Sequence, residues 1–181
     1  MTTIGTETIT KYVLVFRWFV AVNVETYSLA DLTKLMGEGA KRRTVQLWAE
    51  AGVIQADPDT ERAGAGTHRR FSKDEAIIAC IIRAFASAGM NIGSLLRFSK
   101  ALRLLLDRKG VRANIAAAIA DDGRVFLKVL STPKQIVDCE IVRNAGDDDN
   151  RFIQEYPSAP DAPAEAIMHF VFLNPYLRHL G

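Results

Sequence analysis

Two short cationic runs, Lys41-Arg42-Arg43 and His68-Arg69-Arg70, flank a segment that reads as a short helix. Clustered in this way, lysine and arginine concentrate positive charge where a polyanion can lie, although two solvated surface patches have the same composition. Thr44 directly follows the first run. A helix start that carries these bases, a hydroxyl and free first-turn amides has the chemistry to hold phosphates.

No constellation of catalytic residues accompanies them. His169 and His179 lie near the C-terminus, with Asp138, Cys139 and Glu140 elsewhere, and no Gly-framed nucleophile, phosphate loop or His-Glu metal spacing surrounds them. Asp147-Asp148-Asp149 lacks the alternating ligands and terminal bidentate Glu of a calcium loop and reads as a solvated loop. Cys80 and Cys139, the only two cysteines, stand far apart, so they give neither a disulfide framework nor a spaced thiol pair. Both read as small hydrophobes in a reducing, cytoplasmic setting. The expectation is a non-enzyme with no cofactor and no metal.

The elements around the cationic runs follow from local signals. Ser28-Leu29-Ala30-Asp31 is a capping-box-like start for a helix from Leu29 to about Met36, broken by Gly37 and Gly39. Thr44 opens a second helix, Val45 to Ala51, with Val45, Leu47, Trp48 and Ala51 as its apolar side and Arg43, Gln46, Ala49 and Glu50 largely exposed. Gly52 closes it. Val53-Ile54 reads as a short strand that returns, after a turn-rich excursion through Asp57-Pro58-Asp59 and Gly64-Ala65-Gly66, at His68 to Phe71 as a hairpin. Ser72 to Glu75 caps an apolar helix to about Ala88, where Arg70 can pair with Asp74 or Glu75. From Met90-Asn91 a further helix runs to about Arg108, with Leu95, Phe98, Leu102 and Leu105 at coiled-coil spacing. That seam suits a partner helix or packing within one chain, being only about two heptads long.

Beyond Gly110 the pattern changes to a helix from Val111 to Ala120 and strands at Arg124–Leu130, Gln135–Arg143 and Ala166–Leu173, with Asn174-Pro175 ending the last. The prolines at 157, 160 and 163 mark an irregular stretch before that strand. Tyr12 to Val24 is apolar but interrupted by Arg17 and shorter than the roughly 20 residues that span a bilayer, so it reads as β-like, without a signal-peptide layout. The 181 residues, 49% hydrophobic and 24% charged, exclude a disordered or fibrous chain. Charge is unevenly shared: residues 27–110 carry 14 bases against 9 acids, residues 111–181 carry 7 against 10.

Helix, glycine turn, short helix, hairpin and long helix, in that order, describe a winged helix-turn-helix. Thr44-Val45-Gln46-Leu47-Trp48-Ala49-Glu50-Ala51-Gly52-Val53-Ile54, followed by Gly66-Thr67-His68-Arg69-Arg70-Phe71-Ser72, resembles the MerR and excisionase-like winged helix superfamily. Its members typically show a Thr-opened recognition helix with an aromatic before a closing Gly-Leu or Gly-Ile, then a wing ending Gly-x-(His/Tyr)-Arg-x-(Tyr/Phe). The resemblance covers residues 27 to about 103. The turn at Gly37–Arg43 is about two residues longer than the common family turn, and Leu47-Trp48 replaces the usual tyrosine pair. The paired cysteines of metal-sensing members have no counterpart here.

The resemblance implies a mainly α fold with small β: an N-terminal extension (1–26), a winged helix-turn-helix with its following helix (27–109), and an α+β dimerisation or effector domain (110–181). It implies double-stranded DNA as partner, with Lys41, Arg42, Arg43, Thr44, Gln46 and Trp48 on or beside the recognition helix. Arg43 and Gln46 are then the base-contact candidates, since a side-chain amide pairs with adenine. Trp48 has two readings, a phosphate donor through its indole or a core side chain, and the core is favoured. Thr67, His68, Arg69 and Arg70 lie along the wing, with Arg62 at its tip. Leu95, Phe98, Leu102 and Leu105 are the dimerisation candidates of a homodimeric bacterial or phage transcription regulator, cytoplasmic and nucleoid-associated. Two other readings stand beside it: an excisionase-like DNA-bending protein, and a module that binds protein rather than DNA.

Overall fold

The computed structural model describes residues 25–61, 69–132, 134–144 and 165–181. The Tyr12–Val24 segment, Arg62, Thr67, His68, the acidic run at 147–149 and the three prolines lie outside them. The described chain is mixed α+β, its helices joined by small antiparallel sheets.

The first strand, β1 (Thr26–Ser28), leads directly into α1 (Leu29–Leu35). The capping box forms as expected: Asp31 donates its amide to Ser28 Oγ, and its carboxylate accepts the Ser28 amide at 2.8 Å. Gly37 and Gly39 take left-handed backbone at φ 73° and 86°, which lets the chain reverse. Arg83 fills the space beneath that turn and donates to the Glu38 carbonyl. The next helix, α2 (Arg42–Glu50), begins earlier than Thr44. Its N-cap is Lys41, which makes no side-chain capping bond, so Thr44 sits within the first turn.

The expected hairpin is re-paired. Val53 and Ile54 form no strand; both are fully buried in the core. Instead β2 (Arg70–Ser72) pairs antiparallel with β1, Tyr27 opposite Phe71, and a single helical turn, α3 (Pro58–Glu61), lies within the excursion. Arg70 is held there by its backbone, its amide donating to Thr60 Oγ1 and its carbonyl accepting from Asp57.

Ser72 then caps α4 (Lys73–Ser87), buried along most of its length, and Asn91 caps α5 (Ile92–Leu106). Here a second expectation is overturned. Leu95, Phe98, Leu102 and Leu105 are each under 5% exposed within the single chain. Phe98 stacks on Phe85 of α4 at 4.4 Å, and α5 also packs on the sheet. The seam is therefore consumed by intrachain packing and offers no dimer surface.

After α6 (Val111–Ile119), the strands β3 (Arg124–Ser131), β4 (Ile136–Asn144) and β5 (Ile167–Phe172) form an antiparallel sheet in the order β4-β3-β5. Val125, Leu127 and Val129 of β3, with Cys139 and Ile141 of β4, join the core. Val137, two residues before Cys139 on the same strand, remains 38% exposed. Asn174-Pro175 does end the strand region but also starts a last helical turn, α7 (Asn174–Leu177). Buried Asn174 accepts the Val125 amide and donates to the Gly123 carbonyl, which pins this turn to the sheet. One hydrophobic cluster runs from Leu32 through α4 and α5 to Leu127 and Leu177, so the expected boundary at residue 110 falls inside a shared core.

Candidate nucleic-acid interface

The face that α2 turns away from the core is set by which residues the core takes. Val45 and Trp48 are buried and Ala49 half-buried, at the three-and-four spacing of one helical side. Lys41, Arg42, Arg43, Thr44, Gln46, Leu47 and Glu50 are exposed. Two lines of side chains result, Arg42-Gln46-Glu50 and, beside it, Arg43-Leu47.

The first line faces a cleft of about 450 Å³, whose opposite wall carries Arg69 and Arg70, with Ser28, Leu29 and Ala30 of the α1 start as its end. Three arginines and one glutamate, Glu50, thus line one open groove. Several basic groups elsewhere are paired: Arg112 with Asp74, Arg143 with Asp122, Arg103 with Glu75, Lys73 with Glu25. Lys41, Arg42, Arg43, Arg69 and Arg70 make no salt bridge among the described residues. Arg70 in particular does not pair with Asp74 or Glu75, because those carboxylates are held by α6 and α5. The Ser28 hydroxyl and amide hold the Asp31 carboxyl below the usual aspartate range, with a smaller contribution from Arg70.

One ion pair positions this surface from beneath. Arg103 Nε and Nη2 donate to the two Glu75 oxygens at 2.7 and 2.9 Å, Arg103 Nη2 also donates to the Val53 carbonyl, and the Gln55 amide donates to Glu75 Oε2. The chain leaving α2, the first turn of α4 and the last turn of α5 therefore meet at one carboxylate. It ties the chain leaving α2 to the start of α4, a few residues after Arg69 and Arg70.

Two corrections concern α2 itself. Trp48 is 6% exposed and packs in the core, so it is not a phosphate contact. Leu47, expected inside, is 45% exposed. The signal for this was in the spacing: Val45, Trp48, Ala49 and Gly52 follow i, i+3, i+4, i+7, and Leu47 lies well round the helix from Val45. Glu50 was also passed over, yet it accepts a 2.9 Å hydrogen bond from Gln46 Nε2.

No model of a known protein family matches the chain, and no curated protein matches it. Among the described residues, no three or more His, Cys, Asp or Glu side chains gather as metal ligands do, and no helix is long and apolar enough to cross a membrane. Cys80 and Cys139 are buried, and burial pushes both thiols up to about 12. At neutral pH they are protonated and unreactive.

Proposed function

We propose that this protein is a sequence-specific DNA-binding transcription regulator of winged helix-turn-helix type, with α2 in a major groove and the Arg69–Arg70 segment on the adjacent backbone. The observation that carries the reading is the cleft itself: Arg42, Arg69 and Arg70, which make no salt bridge among the described residues, line one opening together with Gln46 and Glu50. A phosphate strand between the two grooves fits that arrangement, since backbone contacts come from arginine and base contacts from a helix placed edge-on. In this reading Lys41, Arg42, Thr44, Arg69 and Arg70 hold phosphates, while Arg43 and Gln46 read bases. Because the seam at Leu95, Phe98, Leu102 and Leu105 is buried within one chain, any pairing of two copies uses another surface.

The test is selection of bound sequences from a random duplex library with the purified chain at two salt concentrations. An enriched motif is expected, and an inverted repeat within it identifies two copies acting together. Arg69→Ala should weaken binding uniformly and lower the salt slope by about one. Binding lost steeply with salt and without enrichment would instead mark a DNA-bending protein, and no binding at low salt would overturn the reading in favour of a protein partner.

A further inference from the structure

We infer that α2 reads an A·T base pair through three side chains acting together: Gln46 on the adenine, Leu47 on the thymine methyl, and Glu50 as the residue that orients Gln46. The inference rests on the DNA reading proposed above and extends it to base identity.

The hydrogen bond from Gln46 Nε2 to Glu50 Oε1 decides the orientation of the amide. A carboxylate can only accept, so the amide must turn its NH₂ toward Glu50 and its carbonyl oxygen away. What Gln46 then offers outward is one acceptor, Oε1, and one remaining N–H. Adenine in the major groove presents the complement, an N6 donor beside an N7 acceptor. Guanine presents two acceptors, O6 and N7, which meet the Gln46 carbonyl and the nearby Glu50 carboxylate unfavourably. Glu50 thus acts through Gln46 as a positioning residue, and it also disfavours the wrong purine.

Leu47 supplies the second half. Leu47 is 45% exposed on a helix whose other outward side chains are polar. It sits next to Gln46 and one turn beyond Arg43, on the side of α2 that this reading turns toward the bases. The one apolar group that a base pair shows in the major groove is the thymine methyl.

The experiment uses the full chain and the duplex selected from the random library. Wild type is expected to enrich at least one invariant A·T pair per site. Glu50→Ala should cut the preference for that adenine about tenfold while tightening binding to every duplex, the first because one bidentate base contact loses its orientation. Glu50→Gln should lose less of the preference than Glu50→Ala, because an amide carbonyl still accepts from Gln46 although its NH₂ can also donate to Gln46 Oε1; a residue acting only by repelling phosphates gives the same result for both variants. Replacing thymine by deoxyuridine in the selected site should weaken wild-type binding about fourfold, the worth of one buried methyl, and leave Leu47→Ala unaffected. An enriched motif with no invariant A·T pair, or Glu50→Ala and Glu50→Gln behaving alike, overturns this inference and leaves DNA binding standing. A library that yields no enrichment overturns both.

Discussion

Removing the Glu75 carboxylate tests whether the pair beneath the cationic face holds the fold together. In Glu75→Ala, Arg103 loses two charged hydrogen bonds and the Gln55 amide loses its acceptor. The two side chains are only 20% and 11% exposed, so water replaces little of what is lost. Stranding one partner of a buried pair costs about 3–5 kcal/mol. Arg103 keeps the Val53 carbonyl at 2.9 Å, which places the expected loss at the lower end, about 3 kcal/mol. With a urea slope of about 2 kcal/mol per M, the midpoint falls by about 1.5 M. Asp74→Ala is the internal control. It also breaks a two-bonded arginine pair, at 2.8 and 2.9 Å, but one that is 61% and 40% exposed. Its cost is about 1 kcal/mol or less. Replacing both Glu75 and Arg103 by methionine should recover part of the loss, because no charge is then left buried. Equal midpoint shifts for Glu75→Ala and Asp74→Ala would refute the argument that burial at this pair decides its worth.

Three further outcomes are expected. Leu102→Ala, at a fully buried position in α5, should destabilise by about 2–5 kcal/mol while Leu104→Ala, 71% exposed, changes stability by about 0.5 kcal/mol or less; a Leu102→Ala loss that vanished at high protein concentration would restore the seam to a dimer. The folded chain should resist iodoacetamide at pH 8 at both Cys80 and Cys139 and take up two labels in denaturant, as mass spectrometry reads directly, and native labelling would contradict the raised thiol values. Asp31, its carboxyl lowered by Ser28, contributes stability that is complete above the ordinary aspartate value of 3.8 and is lost as pH falls through its lower folded value. Ser28→Ala should reduce that acid dependence, the backbone amide at 28 still donating to the Asp31 carboxylate, and it should cost about 1 kcal/mol at neutral pH in urea melts as the cap is lost.

The helices of this chain were legible because their ends carry local chemistry: Ser28, Ser72 and Asn91 each accept an amide of the first turn that follows, and Gly52 and Gly89 take the left-handed backbone that follows a helix end. What local chemistry cannot specify is the partner. The spacing of Leu95, Phe98, Leu102 and Leu105 describes an apolar stripe equally well whether α4 and the sheet or a second chain covers it. Val53 and Ile54 look like a strand by composition, yet the edge that β2 needs is supplied by Thr26–Ser28, more than 40 residues before it in sequence. The ion pairs show the same limit: Arg70 stands four residues from Asp74, but the carboxylates there are taken by Arg112 and Arg103, 38 and 28 residues away.

The cationic face is a consequence of those distant pairings as much as of its own residues. Had Asp74 or Glu75 turned back to Arg70, the groove wall opposite α2 would carry a neutral pair and one arginine fewer for a phosphate. Because α5 and α6 engage both carboxylates, Arg69 and Arg70 remain available, and the same Glu75 holds the exit of α2 through Gln55 and Val53. Stability and surface charge are thus coupled at a single side chain. The coupling gives a directional expectation: methionine at both 75 and 103 should leave a folded chain whose groove walls, α2 on one side and residues 69–70 on the other, are no longer tied through one carboxylate. In that variant binding to the selected duplex should fall relative to random duplex, since base readout depends on register across the groove whereas phosphate attraction does not. A double variant that is stable and fully discriminating would show that α2 is positioned by the core alone, through Val45 and Trp48.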